Sequence, residues 1–274
     1  MLNLLRRVRR RTRRILRAAF APEVPVAPKA CPAPKPAEKR STVAKAAPAA
    51  PKPKRRFAYP DMRQLCQHVR EPIIFDVGAH HGKVSLRFRS FFPHATIFAF
   101  EPFAESFRTL EQNTRGDARI QAFQLGLSRE RGLLEFHSNA NSNTNSLLAS
   151  SERGLELWGE GLFETQEVIR AQFTTLDEFV AEHGIPRIDI LKMDVQGAEH
   201  WVLEGAAETL AAGKVGLVYC EMSTQPSYHG QKRFDRALAD YYDRGFDLHN
   251  FYNESSTDDG VLRQLDAIFV PAGR

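Results

Sequence analysis

A run of apolar residues that ends in a glycine-rich turn constrains the fold more than any other feature of this sequence. The segment Ile73–Val77 carries a single charge, Asp76, and is followed by the residues GAHHG at positions 78–82. A helical pattern begins at Lys83. A short strand that passes through glycines into a helix is typical of α/β proteins, because the glycines let a ligand approach the backbone closely.

Short apolar runs alternate with helix-like patterns from residue 60 onward. The predicted strands are Ile73–Val77, Thr96–Phe100, 120–124, 188–193, 215–221, 246–251 and 265–270, with an additional short strand at 132–137. The predicted helices are 61–68, Lys83–Phe91, 103–113, Leu176–Glu182, 199–212 and 234–244. This alternation predicts a doubly wound α/β fold with a mostly parallel seven-stranded sheet and an antiparallel edge strand.

An acidic residue at the tip of the second predicted strand indicates a nucleoside. Glu101 follows Phe100, and a carboxylate in this place can accept hydrogen bonds from both hydroxyls of a ribose. Dinucleotide sites place a pyrophosphate on the helix N-terminus, where the charge of Asp76 would repel it. The pattern therefore favours a cofactor with an ammonium and a sulfonium group, which is S-adenosylmethionine.

Four motifs in order resemble the FkbM-type methyltransferases of the class I S-adenosylmethionine-dependent superfamily. They are DVGAHHG at 76–82, FEP at 100–102, TLD at 175–177 and KMDVQGAE at 192–199. The resemblance covers roughly residues 70 to 270. His80 and Gln196 depart from the family pattern, which has Asn and more commonly Glu in these places. The resemblance implies a Rossmann-like fold that binds S-adenosylmethionine.

The resemblance also implies a set of cofactor-binding residues. Asp76, Gly78 and Gly82 are expected to line the methionine end, Glu101 to hold the ribose, and the segment around Gly126 to contact the adenine. The full set predicted to bind the cofactor is Asp76, Gly78, His80, Gly82, Glu101, Pro102, Gly126 and Asp194.

Three acidic residues near the predicted fourth and fifth strands are candidates for catalysis: Asp194, Glu199 and Glu221. A hydroxyl group that accepts a methyl group must lose its proton, and clustered carboxylates have the raised pKa that a base needs. We expect Asp194 and Glu199 to converge on one pocket. The three acids could also hold Mg²⁺ or Ca²⁺, but no spacing demands a metal and we predict none.

The resemblance and the polar loop at 138–146 favour O-methylation of a hydroxyl on a sugar, glycan or other small polyhydroxylated acceptor. An ordinary solvated loop explains residues 138–146 equally well. Three alternatives stay open: an RNA or protein methyltransferase recruited by a basic tail, a non-catalytic adaptor with the same fold, and a dehydrogenase that binds NAD at the same site. The oligomeric state does not follow from the sequence.

The charges of the chain are divided between a basic tail and an acidic body. The net charge is +5, but residues 1–56 carry 17 Lys and Arg against two Glu, which leaves a net charge of −10 on residues 57–274. An acidic body argues against nucleic acid as a partner. We predict a basic amphipathic segment at 1–20, a disordered linker rich in Ala, Pro and Lys at 21–56, and a methyltransferase domain at 57–274.

The segment 1–20 has eight arginines and no acid, which would suit an anionic membrane surface. A mitochondrial transit peptide in a eukaryotic source, a contact with nucleic-acid phosphates and a solvated tail are the alternatives. The three cysteines are widely separated and favour a reducing compartment. We therefore expect a cytoplasmic protein, held peripherally on the inner face of the membrane.

Overall fold

The computed structural model describes residues 57–159 and 161–273. The strands are, in chain order, β1 (Ile73–Val77), β2 (Thr96–Phe100), β3 (Ile120–Phe123), β4 (Gly126–Leu127), β5 (Gly132–Asn139), β6 (Thr165–Thr174), β7 (Ile190–Met193), β8 (Val218–Ser223), β9 (Phe246–Ser256) and β10 (Leu262–Pro271). The predictions for residues 1–20 and 21–56 lie outside the described residues.

The helices lie between these strands. They are, in chain order, α1 (Ala58–Leu65), α2 (Lys83–Phe91), α3 (Ala104–Thr114), α4 (Glu152–Trp158), α5 (Leu176–Glu182), α6 (Glu199–Glu204), α7 (Ala207–Ala211) and α8 (Phe234–Asp243), and a 3₁₀ turn lies at Ser142–Thr144. No helix among the described residues is long and apolar enough to cross a membrane.

Seven strands form the main sheet in the order β3-β2-β1-β7-β8-β10-β9. The first five strands of this order are parallel, and β10 runs antiparallel to both β8 and β9. This arrangement confirms the predicted α/β fold with its antiparallel edge. The carboxyl ends of β1, β2, β7 and β8 therefore meet at one edge of the sheet, where parallel sheets bind ligands.

Side chains of successive residues point to opposite faces of the main sheet, so each face has its own core. Ile74 packs with Phe88 and Leu110 on one face, and Phe75 packs with Phe179 on the other; all five side chains are fully buried or nearly so. Burial on both faces explains why the central strands are continuous apolar runs.

A second sheet has three strands in the order β4-β6-β5. The sequence predicted only part of β5 in this sheet. Strand β6 escaped detection because only three of its ten residues, Ala171, Phe173 and Thr174, are buried, all near its end. Its first four residues are all exposed, so no buried face marks this half of the strand.

The predicted helix 199–212 is two short helices. They are separated at Gly205, where an added Cβ would lie 2.0 Å from the carbonyl oxygen of Ser128. The carboxylate of Asp177, from the TLD motif, accepts hydrogen bonds from the backbone N–H groups of Glu208 and Thr209 at 2.9 and 2.8 Å. This motif therefore joins α5 to the beginning of α7.

Candidate active site

The turn after β1 brings three strand ends together. Gly78 has φ +74°, and a Cβ there would lie 2.0 Å from the carbonyl oxygen of Asp194 at the end of β7. The N–H groups of Gly78 and Ala79 donate to the carbonyl oxygen of Phe100 at the end of β2, at 3.0 and 2.9 Å. Only glycine fits this left-handed, closely packed position without strain.

Asp76 is not part of the cavity surface, which corrects the prediction that its carboxylate meets the cofactor. Its side chain is completely buried and lies 2.8 Å from Nζ of Lys192. The hydroxyl of Ser85 donates to its other carboxylate oxygen at 2.6 Å. Asp76 and Lys192 are opposite one another in the register of β1 and β7, so the cation that this carboxylate meets belongs to the protein.

Lys192 also holds the glycine-rich turn. Its Nζ donates to the carbonyl oxygens of Gly78 at 2.8 Å and Val77 at 3.3 Å. Burial opposes the charge of this ammonium, but the neighbouring carboxylate of Asp76 keeps the pKa of Lys192 above its ordinary value. The result is a charged lysine beneath the turn that ties two backbone carbonyls to β7.

Gly82 packs against a neighbouring helix and does not line the cavity, which corrects the prediction that it lines the methionine end of the cofactor site. It precedes α2 with φ +80°, and a Cβ there would lie 2.8 Å from Cδ1 of Leu110 and 3.1 Å from Cγ2 of Thr114. The absence of a side chain lets α2 begin directly against α3.

Glu101 lies at the cavity, at the end of β2, and is 6% exposed. Its two carboxylate oxygens accept hydrogen bonds from the N–H groups of His80 at 2.8 Å and Phe103 at 2.9 Å. Burial raises the pKa of Glu101 to about 7. Each oxygen keeps a lone pair for one further donor, which is what a ribose with two neighbouring hydroxyls requires.

His80 lines the same cavity in a left-handed conformation with φ +48°. Its Nε2 lies 2.8 Å from the hydroxyl of Ser142, and its ring stacks on His81 with the centroids 3.7 Å apart. Burial, and next the charge of His81, lower the pKa of His80 to about 4. The imidazole is therefore neutral near pH 7 and contributes a hydrogen bond without a charge.

The cavity has an apolar wall that the sequence did not reveal. Phe136 of β5 and Phe173 of β6 line it beside Leu127, and the predicted residues Pro102 and Gly126 lie there as well. A Cβ at Gly126 would lie 2.0 Å from the ring of Phe173, so this glycine admits the aromatic ring. An alternation of apolar residues near the end of β6 was the only sequence signal for Phe173.

Two predicted catalytic acids line the cavity: Asp194 directly after β7, and Glu221 in the second half of β8. The amide Nε2 of Gln196 donates to Oδ1 of Asp194 at 2.7 Å and to Oε1 of Glu221 at 3.4 Å. The amide of Gln264 donates to the other oxygen of Glu221 at 2.9 Å. Burial, and next the charge of Asp194, raise the pKa of Glu221 well above its ordinary value.

Glu199 does not converge with Asp194 on this cavity, which corrects that prediction. Its Oε1 accepts hydrogen bonds from the N–H groups of Val195 at 3.1 Å and Gly197 at 3.3 Å. Its carboxylate thus closes the turn between β7 and α6, and burial raises its pKa to about 7. It lines two smaller depressions that also contact Glu221.

Gln196 connects this acidic pair to two loops. Its Oε1 accepts a hydrogen bond from the hydroxyl of Tyr228 at 3.0 Å, and the same hydroxyl lies 2.8 Å from the carbonyl oxygen of Thr144. The hydroxyl of Ser146 donates to the backbone carbonyl of Gln196 at 2.8 Å. The departure from the family pattern at this position therefore supplies a neutral bridge between two carboxylates.

The cavity fits an adenosine-containing cofactor by its chemistry. It offers an acidic group for a ribose at Glu101, aromatic walls at Phe136 and Phe173, and two carboxylates beyond the turn at Gly78. Among the described residues, no group of three or more His, Cys, Asp or Glu side chains has an arrangement that would hold a metal ion.

The comparisons with known proteins agree with one another on the protein family. The model of the methyltransferase FkbM domain matches residues 76–248. The chain is 33% identical over 168 residues to the 2-O-methyltransferase NoeI of Sinorhizobium fredii, covering 59% of this chain and 67% of NoeI. It is 34% identical over 158 residues to methyltransferase sdnD of Sordaria araneosa, covering 50% of this chain and 61% of that protein.

A more distant relative is the hexuronic acid methyltransferase AglP of Haloferax volcanii. The chain is 23% identical to it over 167 residues, covering 60% of this chain and 63% of AglP. The matched region thus spans 61% to 67% of the lengths of the three relatives.

Proposed function

The chain belongs to the FkbM methyltransferase family, whose methyl donor is S-adenosylmethionine, and we propose that it methylates a hydroxyl group of a sugar or glycan. One observation carries the choice of a hydroxyl acceptor. Glu221 is a carboxylate of raised pKa at the cavity, held by the amides of Gln196 and Gln264. A hydroxyl acceptor needs such a group as a base that removes its proton. A neutral amine acceptor needs this base less.

The functions of two relatives support the class of acceptor. NoeI is a 2-O-methyltransferase, and AglP acts on a hexuronic acid. The polar residues Ser142, Asn143 and Asn145 line the same cavity. Their hydroxyl and amide groups suit a polyhydroxylated ligand.

In the proposed mechanism, Glu221 accepts the proton of the acceptor hydroxyl. S-adenosylmethionine, when bound, supplies an activated methyl group. As the hydroxyl oxygen takes the methyl group, its proton passes to the carboxylate of Glu221, whose raised pKa brings it closer to that of the acceptor. Asp194 raises that pKa by its charge, and Nε2 of Gln196 bridges and orients the two carboxylates. Alignment of the acceptor with the methyl group supplies much of the remaining acceleration.

The test is methylation of a panel of free sugars, uronic acids and amino sugars. S-adenosylhomocysteine is measured as product, and mass spectrometry after permethylation with a labelled reagent locates the new methyl group on oxygen or nitrogen. E221Q should lower kcat about 10²- to 10⁴-fold and leave the affinity for S-adenosylhomocysteine within twofold. E208Q, at an exposed acid on α7, is the matched control. Methylation at nitrogen alone, or full activity in E221Q, would contradict the proposal.

The basic segment 1–20 is proposed to attach the protein to anionic lipid on the cytoplasmic face of a membrane. Its eight arginines carry no neighbouring acid, and each is worth about 1 kcal/mol near an anionic surface. The full chain should sediment with vesicles that contain phosphatidylglycerol and be released by salt. Equal sedimentation with neutral phosphatidylcholine vesicles would count against this role.

A further inference from the structure

Asn145 is a buried polar residue whose hydrogen bonding is only half satisfied. It follows the 3₁₀ turn Ser142–Thr144, lines the cavity and is 8% exposed. Its Nδ2 is buried and has no hydrogen-bond partner among the residues that the structure describes. A buried donor without an acceptor destabilises a protein. The unpaired Nδ2 of Asn145 at a ligand cavity therefore needs an explanation.

The orientation of this amide is fixed by its other end. Oδ1 of Asn145 accepts a hydrogen bond from the backbone N–H of Asn139 at 2.8 Å. A backbone N–H needs an acceptor, so the amide cannot be turned to exchange its oxygen and nitrogen. The group left without a partner is therefore the NH₂ donor.

The neighbouring asparagine shows what a purely structural amide looks like in the same loop. Nδ2 of Asn139 donates to the carbonyl oxygen of Thr144 at 2.6 Å, and its Oδ1 accepts a hydrogen bond from the hydroxyl of Thr165 at 2.9 Å. Both ends of this side chain have protein partners. Asn145 differs because it lines the cavity and its buried Nδ2 has no partner among the described residues.

The loop that carries Asn145 is attached to the cofactor side of the cavity. Ser142 contacts the imidazole of His80 at 2.8 Å, and the N–H of His80 donates to Glu101. We propose that Nδ2 of Asn145 donates a hydrogen bond to an acceptor atom of bound S-adenosylmethionine. This inference deepens the proposed function and rests on it only for the identity of the cofactor.

The proposal is tested by calorimetric titration of the full chain with S-adenosylhomocysteine, which requires no acceptor. N145D keeps the oxygen that Asn139 needs and turns the donor into a second, charged acceptor. N145A removes the donor without adding charge. We expect the Kd to rise at least tenfold in N145D and about three- to tenfold in N145A.

N141D is the matched control, because it places the same charge on the same loop. Oδ1 of Asn141 accepts from the N–H of Asn143 at 3.0 Å, and an aspartate preserves this bond. Asn141 is outside the set of cavity-lining residues. The Kd of N141D for S-adenosylhomocysteine should stay within twofold of that of the unsubstituted protein.

A second ligand, 5′-methylthioadenosine, locates the contact. A similar loss of affinity for both ligands places the acceptor atom on the nucleoside, and a loss for S-adenosylhomocysteine alone places it on the amino-acid end; both support the proposal. An unchanged Kd in folded N145D and N145A would overturn it, as would a change confined to the KM of the acceptor. Loss of the far-ultraviolet circular dichroism signal in both variants would overturn it too, since Asn145 would then be structural. A failure to methylate sugars leaves this binding result standing, so the two proposals fail separately.

Discussion

Nζ of Lys192 lies 2.8 Å from the carboxylate of Asp76 on the neighbouring strand, and the two side chains are 5% and 0% exposed. Removing one partner of such a pair leaves an uncompensated buried charge, which typically costs about 3 to 5 kcal/mol. K192M and D76N should each lower the free energy of unfolding, measured with urea, by about that amount.

The double variant D76N/K192M is the decisive comparison for this pair. With both charges removed, it should lose much less stability than the sum of the single variants. R131A, which breaks a pair between Arg131 and Glu178 on the surface, should have a far smaller effect. Additive losses in the double variant would show that the two groups act independently.

The second prediction concerns the glycine between the strand ends. G78A forces a Cβ to within 2.0 Å of the carbonyl oxygen of Asp194 at a φ of +74°. We expect a loss of more than about 2 kcal/mol in the free energy of unfolding and weak binding of S-adenosylhomocysteine. G213A shares the positive φ, +64°, with no atom within 4 Å of the added Cβ. It should cost only about 1 kcal/mol, and equal losses would mean that the contact with Asp194 is unimportant.

The third prediction tests the ribose acceptor. E101A removes the carboxylate that is expected to bind both ribose hydroxyls, and it leaves the N–H groups of His80 and Phe103 without their acceptor. The affinity for S-adenosylhomocysteine should fall at least tenfold, corresponding to about 1.4 kcal/mol or more. E105A, on the exposed face of α3, should bind normally. An unchanged Kd in E101A would place the ribose elsewhere.

The fourth prediction follows from the raised pKa of Glu199. Burial raises this pKa from an ordinary value of 4.5 to about 7. The folded protein therefore binds this proton more tightly than the unfolded chain, and stability must fall as pH rises from about 4.5 to about 7. E199Q keeps an oxygen for the N–H groups of Val195 and Gly197 without an ionisation.

E199Q should match the unsubstituted protein near pH 5 and exceed it by about 2 kcal/mol in the free energy of unfolding at pH 8.5. E208Q is again the control. Its free energy of unfolding should differ from that of the unsubstituted protein by the same small amount at both pH values. A stability gap for E199Q that does not widen with pH would contradict the assignment.

The fifth prediction uses two substitutions that act on Glu221 in opposite directions. A base must be deprotonated to act, so kcat should rise with pH through the raised pKa of Glu221. D194N removes the charge that raises this pKa and should move the rise to lower pH by about one unit. Q196E adds a carboxylate beside the pair and should move it to higher pH by a similar amount. Shifts in the same direction would mean that another group titrates.

The central strands and the ends of the first turn could be predicted from sequence because they depend on local patterns. Ile73–Val77 and Lys83–Phe91 have the predicted bounds, since an apolar strand and two glycines delimit them. The partner of Asp76 could not be predicted in this way. Lys192 belongs to a strand far along the chain, and only the register of β1 with β7 shows that the two charges meet.

The role of the polar loop around Asn145 could not be predicted from the sequence for another reason. Its Ser and Asn residues have the composition of a solvated loop. Nothing local distinguishes Asn139, whose amide is bonded at both ends inside the protein, from Asn145, whose Nδ2 has no partner among the described residues. The pairing of β5 with β6 makes this distinction, and β6 itself has too few buried residues to be recognised.

The three-stranded sheet has a consequence for how this protein could change over time. Phe136, Asn145 and Phe173 come from the single chain segment between β3 and β7, whereas Asp194 and Glu221 stand on the ends of main-sheet strands. The apolar wall of the cavity and its acidic pair are thus encoded in separate stretches of the gene. Natural variation or directed mutation at Phe136 and Phe173 can alter what the cavity accommodates while the acidic pair stays in place.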